Sequence, residues 1–226
     1  MAQGNRVILP GLPHFVRQRG RVDGLAAFLE SADYRVFLHL LEESCARHMV
    51  WVWGYTLLPG GYSLVAVPGS AEALCSAVQK LDSEYARYHN LRHMVRGPVW
   101  NAQFQAAAMC WSQVWDAIAF VEREPVRTQQ LTAAWAHPWS SAAARLGRAP
   151  KPEWLHFEEW ARQFEGPQWQ KRLQSSEGEA QFGLELTAAL ESGSALGEML
   201  AMPAPLVRKG AHQADIIRVV KRAAAG

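Results

Sequence analysis

Three arginines, Arg17, Arg19 and Arg21, recur at every second residue near the start of the chain. In an extended segment this spacing sends all three guanidiniums to one side, and such a row suits the phosphate backbone of a nucleic acid. A second basic group, Arg87, His89, Arg92, His93 and Arg96, falls at the end of a helical pattern and in the loop after it. Among the eight histidines only His89 and His93, at i and i+4, are spaced to share a helical face. No Cys, Asp or Glu stands beside them at zinc-ligand spacing, and the flanking arginines repel a cation, so the cluster reads as phosphate-facing. Glu122 and Glu124 together offer two carboxylates for Mg²⁺. Their spacing of two on a helix points them to different faces, which makes a solvated helix end the simpler expectation. Tyr85 and Tyr88 bring hydroxyls near Arg87 but continue an apolar stripe, as packing residues do. There is no GxSxG, no phosphate loop and no dinucleotide fingerprint, and the glycines of Pro59-Gly60-Gly61 are turn formers.

The elements that must position these residues follow from the hydrophobic pattern. The 226 residues are 49% hydrophobic and 19% charged, which is the composition of a folded chain and not of a disordered one. A formal charge of +2 excludes a protein-wide field for polyanions, so any nucleic-acid site must be local. Cys45, Cys75 and Cys110 are odd in number and lie in apolar segments, which predicts buried thiols in a reducing compartment, the cytoplasm. No signal-peptide or membrane-spanning pattern is present. Asn5 to Gln18 reads as an extended segment with a kink. Ser31 to Arg47 switches to a helical period capped by Ser31. Val50 to Leu58 and Tyr62 to Val67 form a hairpin around Pro59-Gly60-Gly61, and Leu74 to Asn90 is a second helix. Val99 to Ala108 suits a further strand, and Ser112 to Glu124 a helix that Pro125 ends.

The order β-α-β-β-α-β-α predicts an α+β fold: a ferredoxin-like, split β-α-β antiparallel sheet with helices on one face. Gly147 to Pro152 has linker composition, dividing the chain into a domain over residues 1–148 and a helical C-terminal extension over 149–226. In the extension, Glu153 to Phe164 and Glu179 to Leu200 have helical spacing, and Asp215 to Ala224 reads as a short basic helix. The ten Trp residues concentrate between Trp51 and Trp169, where they suit an aromatic-rich core.

A string of segments then resembles one family. Pro10-Gly11-Leu12-Pro13-His14-Phe15-Val16 is followed by Gln18-Arg19-Gly20, and Tyr55 to Leu64 matches a signature hairpin. Tyr85 to Asn90, Val99 to Phe104, Phe120 to Arg127 and His137-Pro138-Trp139-Ser140-Ser141 continue the series in order. Together they are similar to the REP-associated tyrosine transposases, a branch of the single-tyrosine HUH transposases. The resemblance implies an HUH-type ferredoxin-like fold whose relatives bind hairpins of single-stranded DNA. They cleave them with a tyrosine hydroxyl, aided by a divalent cation on a His-hydrophobe-His pair.

On this resemblance the two histidines fall on Gly61 and Ser63, with Tyr62 between them, and the nucleophile falls on Phe120. Neither Gly61 nor Ser63 has an imidazole, and a phenyl ring has no hydroxyl, so no catalytic residue is retained and no metal is expected. The expected function is that of a catalytically inactive transposase-like protein, in a regulatory or accessory role, binding single-stranded or hairpin DNA through Arg17, Arg19, Arg21, Arg87, Arg92 and Arg96. One alternative is a protein-interaction scaffold with a protein partner, using an exposed apolar, Trp-rich face. The other is a nuclease with a rebuilt centre, for which Mg²⁺ or Mn²⁺ would be the cofactor.

Overall fold

The computed structural model describes residues 7–21, 26–101 and 103–196. The expected basic helix over residues 215–224 lies outside them. The chain runs through β1 (His14–Arg19), α1 (Ser31–His48), β2 (Val50–Leu58), β3 (Gly61–Pro68), α2 (Ala71–Arg92) and β4 (Gln105–Ala108). It continues with α3 (Val114–Glu122), α4 (Glu124–Arg127), α5 (Ala142–Arg145), α6 (Glu158–Gln163), α7 (Gly166–Gln174) and α8 (Glu179–Ser192). The four strands lie in the order β2-β3-β1-β4, every neighbouring pair antiparallel, which is the split β-α-β arrangement.

Local chemistry explains the ends of these elements. α1 is capped by Glu30 and not by Ser31, because Asp33, three residues on, accepts from the Glu30 N–H at 3.1 Å and closes a reciprocal box. Ser70 caps α2 as an ordinary hydroxyl cap, accepting from Ala73 N–H at 3.2 Å. Pro125 does not end the helical path. It sits in the first turn of α4, where a missing N–H costs nothing, and the break falls at Arg123. α8 stops at Gly193, whose φ of 68° lies in the left-handed region that glycine tolerates best, so the helix is shorter than its apolar spacing suggested.

The helices cover both faces of the sheet, where coverage of one was expected. Val16, Leu64 and Ala66 face α1 and α2, with Phe37, Leu41, Leu74 and Tyr85 in the same core. Phe15, Val65 and Val67 point the other way, into a core shared with Ile118, Val121, Trp160, Trp169, Leu173 and Leu186. The physical reason is visible in the strands, since β2 and β3 are almost uninterrupted apolar runs and need cover on both sides. A β-bulge between Val52 and Gly54 reverses the parity of β2. Before it Val50 and Val52 face α1 and α2, and after it Tyr55 and Leu57 do. Gly54 is where α3 comes closest, since a Cβ there would meet Ile118 at 3.2 Å.

The Trp-rich middle is consumed by this packing. Trp53, Trp111, Trp160 and Trp169 are buried, and Trp115 packs edge-on to Phe164 and Trp169. Both ends of the sheet meet later segments. The outer side of β2 bonds to residues 139–141 and 155–156, through Leu57 N–H to Trp139 C=O, Ser141 N–H to Tyr55 C=O and His156 N–H to Val52 C=O. At the other end, Leu196 N–H donates to Ala108 C=O at 2.7 Å.

Glu122, expected at a solvated helix end, is fully buried and paired with the equally buried Arg145 at 2.7 Å. Glu122 also accepts from Ser141 Oγ at 2.5 Å and Trp169 Nε1 at 2.8 Å, while Arg145 donates to the carbonyl of Trp53 at the bulge. One carboxylate therefore joins β2, α3, α5 and α7. Removing one partner strands a buried charge, so Arg145→Met should lower unfolding stability by about 3–5 kcal/mol. Glu122→Leu combined with Arg145→Met should recover much of that loss in denaturant titrations; equal losses in the single and double variants would refute this account.

Candidate nucleic-acid interface

The strand positions under Arg17 and Arg19 are set by register. Arg17 pairs with Ser63 and Arg19 with Gly61, so the two arginines on β1 stand directly opposite the two positions of the hairpin motif on β3. Strand alternation turns these residues to the face that carries Phe15 and Val65, the side covered by α3. Phe120, on α3, meets Phe15 edge-on at 6.2 Å between centroids. The structure thus brings Gly61, Ser63 and Phe120 to one side of the sheet, with Arg17 and Arg19 among them. α3 is held there by Thr56, which donates to the carbonyl of Val121 at 2.8 Å.

Around this face the charges are mixed. Arg17 Nη2 lies 3.8 Å from Glu124 Oε1, both side chains largely buried, and the Arg17 Nε is buried without a hydrogen-bond partner. Burial holds the Arg17 guanidinium below its usual range; Glu124 opposes that, while Arg19 and Arg127 add to it. Arg127 lies 3.6 Å above the Phe120 ring and donates to Glu179 at 2.7 Å. Arg123 donates to the same carboxylate at 3.0 Å, and Phe182 packs on Phe120 at 5.3 Å. α8 is thereby fastened over α3, leaving a cleft of about 650 Å³ lined in part by Phe120, Phe182, Arg123 and Lys171. Arg19 is exposed, and among the described residues its guanidinium has no ion-pair partner.

The residues present do not suit a divalent cation on this face. Position 61 cannot carry an imidazole on this backbone: its φ is +145°, and a Cβ would lie 2.2 Å from the carbonyl oxygen of Gln18. Ser63 is buried, and its neighbours across the ladder are Arg17, a cation, and Thr56.

The second basic cluster is placed on the other side of the sheet, at the end of α2. Arg92 pairs with Glu30 at 2.8 Å, His93 lies 3.1 Å from Asp33, and His89 is buried with its Nε2 3.1 Å from the carbonyl of Ala26. Burial raises the Asp33 carboxylate, but two backbone N–H bonds from Leu29 and Glu30 and the contacts of His93 outweigh it and hold the group below its usual range. Arg87 and Arg96 are exposed. Arg21 N–H donates to Val99 C=O at 3.0 Å, which brings the end of the β1 arginine row beside the loop that follows Arg96. Tyr85 is buried on the α1–α2 side, donating to the Ala27 carbonyl, and Tyr88 donates to Asp33. Both therefore lie across the sheet from Phe120.

Asp82 went unnoticed in the sequence. It lies on α2 directly behind the arginine row and accepts from Tyr62 at 2.8 Å and from Gln18 at 2.9 Å. Burial pushes its carboxyl up to about 7, against the pull of those two bonds. Its position within a helical stripe next to Leu81 was the available signal, but only the long-range contacts reveal its burial.

The fold defines a class: an α+β protein with a ferredoxin-like, four-stranded antiparallel sheet of the kind found in HUH transposases. A REP-associated tyrosine transposase, solved bound to a REP hairpin, matches this chain with a TM-score of 0.57 and 13% identity, covering 69% of this chain and 92% of that one. No protein-family model and no curated protein matches the sequence. Among the described residues, no helix is long and apolar enough to cross a membrane.

Gly61→Ala should destabilise the fold by about 2 kcal/mol or more, through the clash with Gln18 and the positive φ; a melting temperature equal to that of the parent chain would contradict the geometry. Asp82 makes a pH-dependent contribution. The folded carboxyl keeps its proton up to about pH 7, whereas an unfolded one releases it near 4, so this stability is complete below about 4 and is lost as pH rises through 7. Thermal melts of Asp82→Asn against the parent chain from pH 4 to 8 should show the variant gaining relative stability by a few kcal/mol, and parallel curves would rule the effect out.

Proposed function

We propose that this chain is a catalytically inactive transposase-like protein that binds single-stranded or hairpin DNA in a regulatory or accessory role. The observation that carries the reading is the juxtaposition of Gly61 and Ser63, which offer no imidazole to a metal, and Phe120, which has no hydroxyl, with Arg17 and Arg19 on the adjoining strand; the Ser63 hydroxyl is buried. A face that has guanidiniums but no exposed nucleophile is suited to holding a phosphate backbone without cutting, and its rings, Phe15 and Phe120, are buried beneath it. The fold likeness to a transposase solved with a DNA hairpin supports the choice of ligand. Arg87 and Arg96 add exposed basic side chains at the end of α2, on the other side of the sheet, while Arg92 is committed to Glu30. We place the protein in the cytoplasm, which its three free cysteines support.

The experiment is binding of labelled hairpins, linear single strands and duplex of matched composition across a salt series. Preference for the hairpin, with affinity falling steeply and linearly in log salt, is the expected result. Silence toward all three forms at low salt would end the DNA-binding reading.

A further inference from the structure

The arginine row on β1 is only partly satisfied within the chain. Arg17 has one acidic neighbour, Glu124, and at 3.8 Å that contact is too long for a hydrogen bond. Its Nε is buried with no acceptor, a costly state for a charged donor. Arg19 stands two residues further along the same face, exposed and without an ion-pair partner among the described residues. Arg127 approaches the same ground from α4, yet its guanidinium is spent on Glu179, the Phe120 carbonyl and the Phe120 ring. The site thus has two guanidiniums on one face, and the one carboxylate beside Arg17 meets it only at 3.8 Å. A tetrahedral oxyanion has more acceptor lone pairs than a carboxylate at this distance uses, and it fits the forked donors of arginine.

We infer that Arg17 and Arg19 form a phosphodiester-binding subsite for DNA that works without a metal ion, and that the Glu124 carboxylate stands in for the phosphate in the free protein. The inference rests on the DNA-binding reading and adds to it the contact atoms, the independence from divalent cations and an internal competitor. His137, a buried ring bonded to the Leu57 carbonyl, also feels the Glu124 charge, though burial outweighs it and holds the imidazole below its usual range. When a phosphate enters, Glu124 must give up Arg17, so this carboxylate weakens binding even though it lies outside the DNA contact.

The test uses the full chain and a fluorescein-labelled DNA hairpin of mixed-sequence stem with a single-stranded flank, titrated in Mg²⁺ and in EDTA. Equal affinity is expected in the two buffers. Arg19→Ala, an exposed change that leaves the core untouched, should weaken binding about tenfold, the worth of a charge-assisted hydrogen bond. Glu124→Gln should tighten binding by about threefold by freeing Arg17. If the parent chain binds the hairpin but both variants bind as it does, or if binding needs Mg²⁺, the subsite is wrong and the DNA-binding reading survives. If the parent chain binds no form of DNA, the broader reading falls and takes the subsite with it.

Discussion

The ion pair of Glu122 with Arg145 lies where four elements meet, and the geometry of the arginine-bearing face descends from it. The bulge in β2 swings the Trp53 carbonyl out of the ladder and leaves it in need of a donor, which Arg145 supplies from α5. Arg145 in turn needs a counter-charge, which Glu122 provides at the end of α3, and Trp169 from α7 closes the remaining acceptor. Because Glu122 is fixed, the chain leaves α3 at one place and in one direction. Two residues later Glu124 arrives beside Arg17, and three beyond that Arg127 arrives over Phe120. A pair buried this deeply gains little net stability after desolvation, so its contribution here is to specify one arrangement of helices on the sheet.

On the proposed reading, that arrangement replaces one kind of phosphate chemistry by another. An imidazole-bound metal polarises a phosphodiester and invites attack on phosphorus. A guanidinium holds the same oxygens by charge and paired hydrogen bonds, remains protonated at every biological pH, and gives no route to a base or a nucleophile. With Phe120 wedged between Phe15, Phe182 and the Arg127 guanidinium, the face is closed over a ring that cannot react.

Much of the fold was legible because its signals are local. The period change at Ser31 and the Pro59-Gly60-Gly61 turn between two β-rich runs each declare an element within a few residues. The second helical layer was also written in the chain, in the unbroken apolar runs of β2 and β3, though the ferredoxin pattern pointed to a single layer. α7 went unseen because its sequence is polar except for Trp169 and Leu173, four residues apart, which are the two positions that it buries. The fate of the charges was not legible at all. Glu122 finds Arg145 twenty-three positions away, Arg92 finds Glu30 across sixty-two, and Arg17 reaches Glu124 from another layer. Nothing in local spacing separates a solvated carboxylate from a buried one when the partner arrives through tertiary structure. The motif positions 61, 63 and 120 came from the family resemblance and not from local spacing, and in the structure they lie on one side of the sheet.

The coverage of the sheet's margins has a bearing on how copies of this protein can associate. An open strand edge is a template for another chain, and many sheets dimerise or aggregate by extending across it. Here the outer side of β2 already shares its backbone groups with residues 139–141 and 155–156, and the end of the short strand β4 is engaged by Leu196. The chain has in effect supplied its own flanking segments, so a continuous intermolecular sheet through β2 is closed to it. On the β2 side, association with another chain would have to run through side chains and not through backbone hydrogen bonds.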